Sequence, residues 1–128
     1  MSAAAALMFA TFGALLAQSP ALEPLRSAAE ALAERDAARF LNQFDPAMKG
    51  YETLREQVGA LVAADGAAST LEIVSEQGDQ RRKTLEIDWL LRVGPGAAKR
   101  RILKFVVERQ SRAWKITSLD AVEFFRKE

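Results

Sequence analysis

The sequence of 128 residues contains neither cysteine nor histidine. Without these side chains the protein has no disulfide, no thiol nucleophile and no imidazole base, and it lacks the ligands of nearly every zinc, copper or haem site. Carboxylates are the strong metal ligands that remain. Because no motif in the chain indicates a metal centre or a cofactor, we expect neither.

Net charge is nearly absent as well, since 18 basic and 17 acidic side chains leave a balance of +1. Such a chain has no overall field that would attract nucleic acid or an anionic membrane. The densest basic runs are residues 81–83 and residues 99–101, and the predicted strands place them at opposite ends of a hairpin. They do not add into one patch, so we predict no nucleic acid partner.

The N-terminal segment has no ionisable side chain before Glu23, and residues 3–17 are apolar apart from Thr11 and Gly13. A membrane-spanning helix needs about 20 apolar residues. The run, followed by Gln18, is typical of a secretory signal peptide. We predict a signal peptide over residues 1–17, a linker over residues 18–24 and one domain over residues 25–128, with no stable membrane span after cleavage. The protein would be secreted or periplasmic.

Two alternatives for this segment stay open. Residues 1–17 could form a first helix packed on the domain, in which case the protein would be cytoplasmic, or they could form an uncleaved membrane anchor. The first Lys or Arg is Arg26, so the basic start of a secretory signal is missing from this sequence.

Two helices are predicted in the first half of the domain. Apolar side chains recur at spacings of three and four between residues 21 and 44, which predicts one amphipathic helix of about six turns. Pro46 ends it, and Asp45 is placed to cap the turn that follows. A second helix is predicted over residues 51–64, where Gly59 weakens the helix and so indicates close backbone packing.

After Gly66 the apolar period changes from 3.6 to 2 and predicts four antiparallel strands. A long half-buried strand covers residues 84–93. We expect a two-residue turn at Gly78 and Asp79 and a second turn at residues 94–96. A loop of residues 95–97 would place Trp89 opposite Leu103 and Asp88 opposite Lys104. The predicted fold class is therefore α+β, with two main helices packed on a curved antiparallel four-stranded sheet.

Three segments of the chain resemble the nuclear transport factor 2-like superfamily, the cone-shaped fold of polyketide cyclase-like and ketosteroid isomerase-like proteins. Residues 34–41 with Phe44-Asp45-Pro46 are similar to the family's first helix and its exit. Residues 51–58 are similar to the helix before the sheet, and Trp114-Lys115-Ile116 is similar to the closing strand. The resemblance covers about residues 25–125 and implies a fold rather than a reaction.

The resemblance also implies a catalytic strand that this chain has little room for. Family enzymes carry a short strand with an acidic residue between the first helix and the sheet-side helix, and here only residues 46–50 are left for it. Tyr51 is the only tyrosine, and it does not match the tyrosine of the isomerases' oxyanion hole. We expect a non-enzymatic protein, with an isomerase or cyclase as the alternative.

The weak catalytic candidates are Asp45 and Asp88. A general base must lie close to substrate and be tuned by burial. The strand alternation places Asp88 on the face opposite Trp89, where pairing with a basic neighbour is expected, and capping explains Asp45.

The aromatic side chains suggest an apolar pocket inside the cone, which could bind a small apolar ligand. Its predicted lining consists of Phe40, Phe44, Tyr51, Trp89, Phe105 and Trp114. The alternative is that the same residues fill the core and leave no space.

Four apolar residues fall on the outer face of the sheet, where a solvated sheet would be polar: Val74, Leu90, Ile102 and Val106. A patch of this kind indicates a protein partner, and the resemblance implies face-to-face dimers. We therefore predict a homodimer through the outer face.

Overall fold

A computed structural model describes residues 19–95 and 97–127. A 3₁₀ turn, Pro20–Leu22, leads into helices α1 (Glu23–Ala33), α2 (Ala37–Leu41) and α3 (Tyr51–Ala64). Four strands follow, β1 (Ala67–Gly78), β2 (Arg82–Val93), β3 (Ala97–Gln110) and β4 (Ala113–Leu119), and a 3₁₀ turn at Val122–Phe125 comes last. The predicted signal peptide lies outside the described residues.

The four strands form one antiparallel sheet in the order β1-β2-β3-β4, which confirms the α+β prediction. The register predicted between β2 and β3 was wrong by two residues, because Val93 already pairs with Ala97. Trp89 therefore lies opposite Arg101, and Asp88 lies opposite Ile102. A shift of two leaves every side chain on its predicted face, so Trp89 still faces the helices.

The turn between β1 and β2 is longer than the two residues predicted for it. Gly78 pairs with Lys83 as the last residue of β1, and the carboxylate of Asp79 accepts hydrogen bonds from the backbone amides of Arg81 and Arg82 at 2.8 and 3.0 Å. Gly78 has a φ of +131°, and a Cβ there would lie 2.2 Å from the carbonyl oxygen of Arg82. Glycine is thus required by close approach at the strand end rather than by a tight turn.

The single long helix predicted over residues 21–44 was also wrong, because the chain breaks between α1 and α2 at Arg35. This residue has a left-handed φ of +58°. Its guanidinium donates to the carbonyl oxygens of Val62 at 2.8 Å and Ala63 at 3.0 Å, which are carbonyls of the last turn of α3. Asp36 then starts α2 by accepting a hydrogen bond from the amide of Arg39 at 3.0 Å.

The break lies against the connection between α3 and β1. A Cβ on Gly66 would lie 3.0 Å from the carbonyl oxygen of Ala33, so the end of α1 approaches this connection closely. Beyond the break α2 presents Phe40 to the core, where it is fully buried. The chain then runs along β4, with Phe44 bridging to Ile116.

The core is built around aromatic rings from distant parts of the chain. Phe125, from the last 3₁₀ turn, lies 5.4 Å from Phe40 and 5.2 Å from Trp89 between ring centroids. Trp89 in turn contacts Phe105 at 5.9 Å. Phe124 and Phe125 of this last turn are both buried against the core.

One glycine within α3 and one just before it allow a direct test of this backbone geometry. The close backbone packing predicted at Gly59 was wrong, because a Cβ there would meet nothing within 4 Å. We therefore expect Gly59→Ala to raise the free energy of unfolding by about 0.5–1 kcal/mol through helix propensity alone. Urea denaturation measures the change.

Gly50→Ala is the matched comparison. Gly50 precedes α3 with a φ of +86°, and a Cβ there would lie 3.3 Å from Val122. We expect this change to lower stability by about 1 kcal/mol or more, because alanine is strained at that φ. Equal effects of the two substitutions on stability would contradict a start of α3 directly after a left-handed Gly50.

Candidate functional site

An apolar pocket of about 510 Å³ opens between α1 and the inner face of the sheet. Its helix side is formed by Leu25 and Ala29 of α1, and its sheet side by Leu71 and Ile73 of β1 with Ile87 of β2 beneath. The pocket exists because β1 is an edge strand, and the inward side chains Leu71 and Ile73 remain half-buried. Its volume is that of a small-molecule site.

Three polar side chains line this pocket, and each already has a partner. Arg26 pairs with Glu23 at 2.9 Å. Glu30 accepts from a guanidinium nitrogen of Arg39 at 2.6 Å. The hydroxyl of Ser69 accepts a hydrogen bond from the indole nitrogen of Trp89 at 3.0 Å. A ligand would therefore meet mainly hydrocarbon, with these groups at the edge.

The aromatic residues predicted to line a pocket do not line this one. Phe40, Phe44, Trp89 and Phe105 are each at most 2% exposed, and they pack on one another and on Phe125. The structure thus places these four in a filled core, which was the alternative considered for them. Sequence periodicity identified which faces are inward but could not show that a ring from the C-terminal end occupies the centre.

The other two predicted lining residues lie apart. Tyr51 is half-buried at the start of α3 and packs against the core. Trp114 is half-buried at the start of β4, where it lines a different depression with Arg109 and Arg112. The open pocket was missed because its helix side is formed by Leu25, Ala29 and Ala33 of α1, a pattern that is typical of ordinary helix packing.

Asp45 is occupied in holding the turn before α3. Its carboxylate accepts from the amide of Ala47 at 2.9 Å and from the side chain of Gln110 at 3.0 Å. The first of these bonds is the capping interaction expected for it. Both bonds favour the carboxylate, chiefly the one from Ala47, and so hold the pKa of Asp45 below its usual value. A group held ionised in this way is a poor general base.

Asp88 lies on the outer face of the sheet, paired with Arg100 of β3. The two side chains form hydrogen bonds of 2.6 to 3.2 Å, and these bonds lower the pKa of Asp88. The expected partner was Lys104 or a neighbouring arginine, and the register shift brings Arg100 into reach while Lys104 pairs across from Glu86. Neither Asp45 nor Asp88 lines the apolar pocket.

The outer face of the sheet carries the four apolar residues expected there. Val74 and Ile102 are 51% and 53% exposed, which makes them the large hydrophobic side chains with the most exposure among the described residues. Leu90 and Val106, on the same face, are half-buried.

Residues 19–95 and 97–127 contain no cluster of three carboxylates that could hold a metal ion. No helix within these ranges is long and apolar enough to cross a membrane.

Two sequence comparisons find no match for this chain. No profile of a known protein family matches it, and neither does any curated protein sequence.

Solved structures, in contrast, match it well. A protein of unknown function with a cystatin-like fold from Nostoc punctiforme superposes with a TM-score of 0.65 at 16% identity, covering 78% of this chain and 85% of that one. A nuclear transport factor 2-like protein of unknown function from Shewanella oneidensis gives a TM-score of 0.59 at 12% identity, with coverages of 77% and 92%.

A third similar structure is a proposed dehydratase of the nuclear transport factor 2-like family from Streptomyces avermitilis. Its TM-score is 0.60 at 13% identity, and the match covers 79% of this chain and 95% of that one. Identities this low establish architecture and not activity. The chain therefore has the nuclear transport factor 2-like, or cystatin-like, cone fold, as its sequence resemblance implied.

Proposed function

We propose that this protein is a non-enzymatic, exported cone-fold domain that dimerises through its outer sheet face and binds a small apolar molecule. The observation that carries the binding proposal is the open pocket of about 510 Å³ between α1 and β1. Apolar side chains form most of its lining, and burial of their surface by a ligand would be favourable by about 25 cal/mol per Å².

The environment of the nearby carboxylates supports a non-enzymatic role. Proton-transfer enzymes tune an acid by burying it beside the substrate. Glu30 is the one carboxylate that lines the described pocket, and its side chain is 55% exposed and ion-paired with Arg39. The chain around Asp45 forms a turn and a single bridge to β4 rather than the acidic strand of the family's enzymes.

An isomerase- or cyclase-type enzyme is the second candidate, and Glu30 is the observation that favours it. Release from Arg39 on substrate binding would leave this carboxylate at the pocket edge. Glu30→Gln distinguishes the two proposals, because binding of an apolar molecule would survive the change whereas carboxylate catalysis would not. The neutral fluorescent amine N-phenyl-1-naphthylamine is a suitable probe for the binding measurement.

Ala29→Phe tests the pocket itself. Ala29 lies on the pocket side of α1 and is half-buried, so a phenyl ring there would occupy the space that a ligand needs. We expect the unchanged protein to bind the naphthylamine probe saturably and the variant to bind it at least about tenfold more weakly, which corresponds to about 1.4 kcal/mol. Fluorescence titration gives both dissociation constants.

Ala60→Phe is the matched control, because Ala60 lies on the exposed side of α3. It adds the same ring to a helix surface outside the pocket lining and should leave probe binding unchanged. Equal binding by Ala29→Phe and the unchanged protein would show that the probe binds elsewhere and would remove the main support for the proposal.

Dimerisation through the outer face rests on Val74 and Ile102, which expose more than half of their surface there. The Asp88–Arg100 pair beside them provides opposite charges on one patch. In a two-fold dimer this patch would face the same patch of the second copy. A surface of this composition is self-complementary, and its apolar centre would gain from exclusion of water.

Ile102→Lys should convert the dimer to a monomer. The new ammonium would lie across from Asp88 in the isolated chain and be tolerated there, but in the dimer it would be buried against a second copy. Sedimentation velocity measures the oligomeric state. Thr53→Lys, on the exposed side of α3, should remain dimeric, and a parent protein that sediments as a monomer at all concentrations would refute the interface.

Export is tested by N-terminal sequencing of protein isolated from its native host. The mature chain is expected to begin at Gln18, because the apolar run of residues 3–17 ends there. Recovery of soluble cytoplasmic protein that begins at Met1 or Ser2 would contradict the proposal and leave ligand binding and dimerisation unaffected.

A further inference from the structure

The β1–β2 turn and the β3–β4 turn meet at one end of the sheet. The backbone amide of Arg109 donates to the carbonyl oxygen of Arg81 at 2.8 Å, and Arg112 follows in the two-residue turn between β3 and β4. Three arginines that are distant in sequence are thereby gathered within one surface, which we call the arginine end.

These arginines differ from most others in the described part of the chain. Elsewhere a carboxylate oxygen lies within 3.4 Å of a guanidinium nitrogen of Arg26, Arg39, Arg55, Arg82, Arg100 and Arg101. No such ion pair is formed by Arg81, Arg109 or Arg112 within residues 19–95 and 97–127. The nearby carboxylate of Asp79 accepts backbone amides instead. The arginine end therefore has guanidinium groups that no carboxylate of the described residues ion-pairs, and only Asp79 acts on one of them, Arg81, through its nearby charge.

The surface between these side chains is concave. A depression of about 260 Å³ is lined by Arg109, Arg112, Trp114 and Pro20. A neighbouring one of about 420 Å³ is lined by Arg81, Arg109 and Ser111. Both include Arg109 and Gln80, so the two depressions adjoin, with Trp114 lining one of them and guanidinium groups lining both.

We propose that the arginine end binds a small aryl phosphate monoester. The ring would pack on the half-buried indole of Trp114 beside Pro20, and the phosphate would accept hydrogen bonds from Arg109 and Arg112, with Arg81 adding charge. Guanidinium groups match phosphate oxygens in charge and in bidentate geometry. The pattern of one ring surface next to several guanidinium groups fits one aromatic anion.

An extended polyanion fits the site less well. Nucleic acid strands bind along grooves with several aromatic platforms, and the arginine end offers only Trp114 within its described lining. A membrane surface would require a broad basic face, whereas Lys83 and Arg82 here are neutralised by Glu76 and Glu108.

The experiment is a titration of the full chain with phenyl phosphate, followed by the indole N–H signals in a ¹H–¹⁵N spectrum. The chain has two tryptophans, and Trp89 is buried and bonded to Ser69, so the Trp114 signal alone should move. Trp114→Phe assigns it. Phenol has the ring without the phosphate, and inorganic phosphate has the anion without the ring. Each should bind at least about tenfold more weakly than phenyl phosphate.

Arg109→Gln with Arg112→Gln should weaken phenyl phosphate binding at least about tenfold, a loss that corresponds to charge-assisted hydrogen bonds at a partly exposed site. The matched control removes the same charge elsewhere through Arg55→Gln with Arg92→Gln, and it should bind within about twofold of the parent.

Three results would overturn the proposal. One is a Trp114 signal that phenyl phosphate does not move at millimolar concentration. The second is an equal loss of binding in the two double variants, which would indicate nonspecific attraction. The third is binding of oligonucleotides or of vesicles rich in phosphatidylserine without any response to phenyl phosphate, which would assign the surface to a polyanion or a membrane.

Discussion

The hydrogen bonds from the Arg35 guanidinium to the end of α3 are the constraint on which the helical layer depends. They fix a left-handed residue between α1 and α2, so the chain changes direction where its apolar pattern would have continued one helix. A cation at a helix C-terminus is also favoured by the helix dipole. As a result α1 can lie along the edge strand β1 while α2 directs Phe40 into the core.

Periodicity predicted more of the sheet than of the helical layer, and the reason is physical. A strand alternates with period 2, and an error of two residues in register preserves every face, so inward Trp89 and outward Asp88 were placed correctly although their partners were not. The apolar pattern could not predict the helix break, because spacings of three and four continue through it. Its only sequence signal is Asp36, a helix-capping residue three positions before Arg39.

The candidate functional surfaces were harder to predict than the fold because each depends on contacts between distant segments. Phe125 enters the core from the C-terminal end and fills the space expected to be a pocket. Arg109 and Arg112 are far from Arg81 in the sequence and belong to no basic run. A search for basic runs therefore finds residues 81–83 but not the surface that the three arginines share. The basic runs at residues 81–83 and 99–101 were correctly placed at opposite ends of the hairpin. The contact between the first run and the β3–β4 turn, which brings Arg109 and Arg112 beside it, was not predicted.

The open pocket follows from how the small helical layer covers a long sheet. Twelve residues of β1 form an outer edge strand, and α1 covers its inward side chains only in part, so Leu71 and Ile73 stay half-buried. Apolar surface left in contact with water forgoes about 25 cal/mol per Å². A bound apolar molecule would recover this free energy without any change in the sheet, and the satisfied side chains of Ser69 and Glu30 at the edge would not have to give up their partners. The proposed ligand binding would therefore require little rearrangement of the structure.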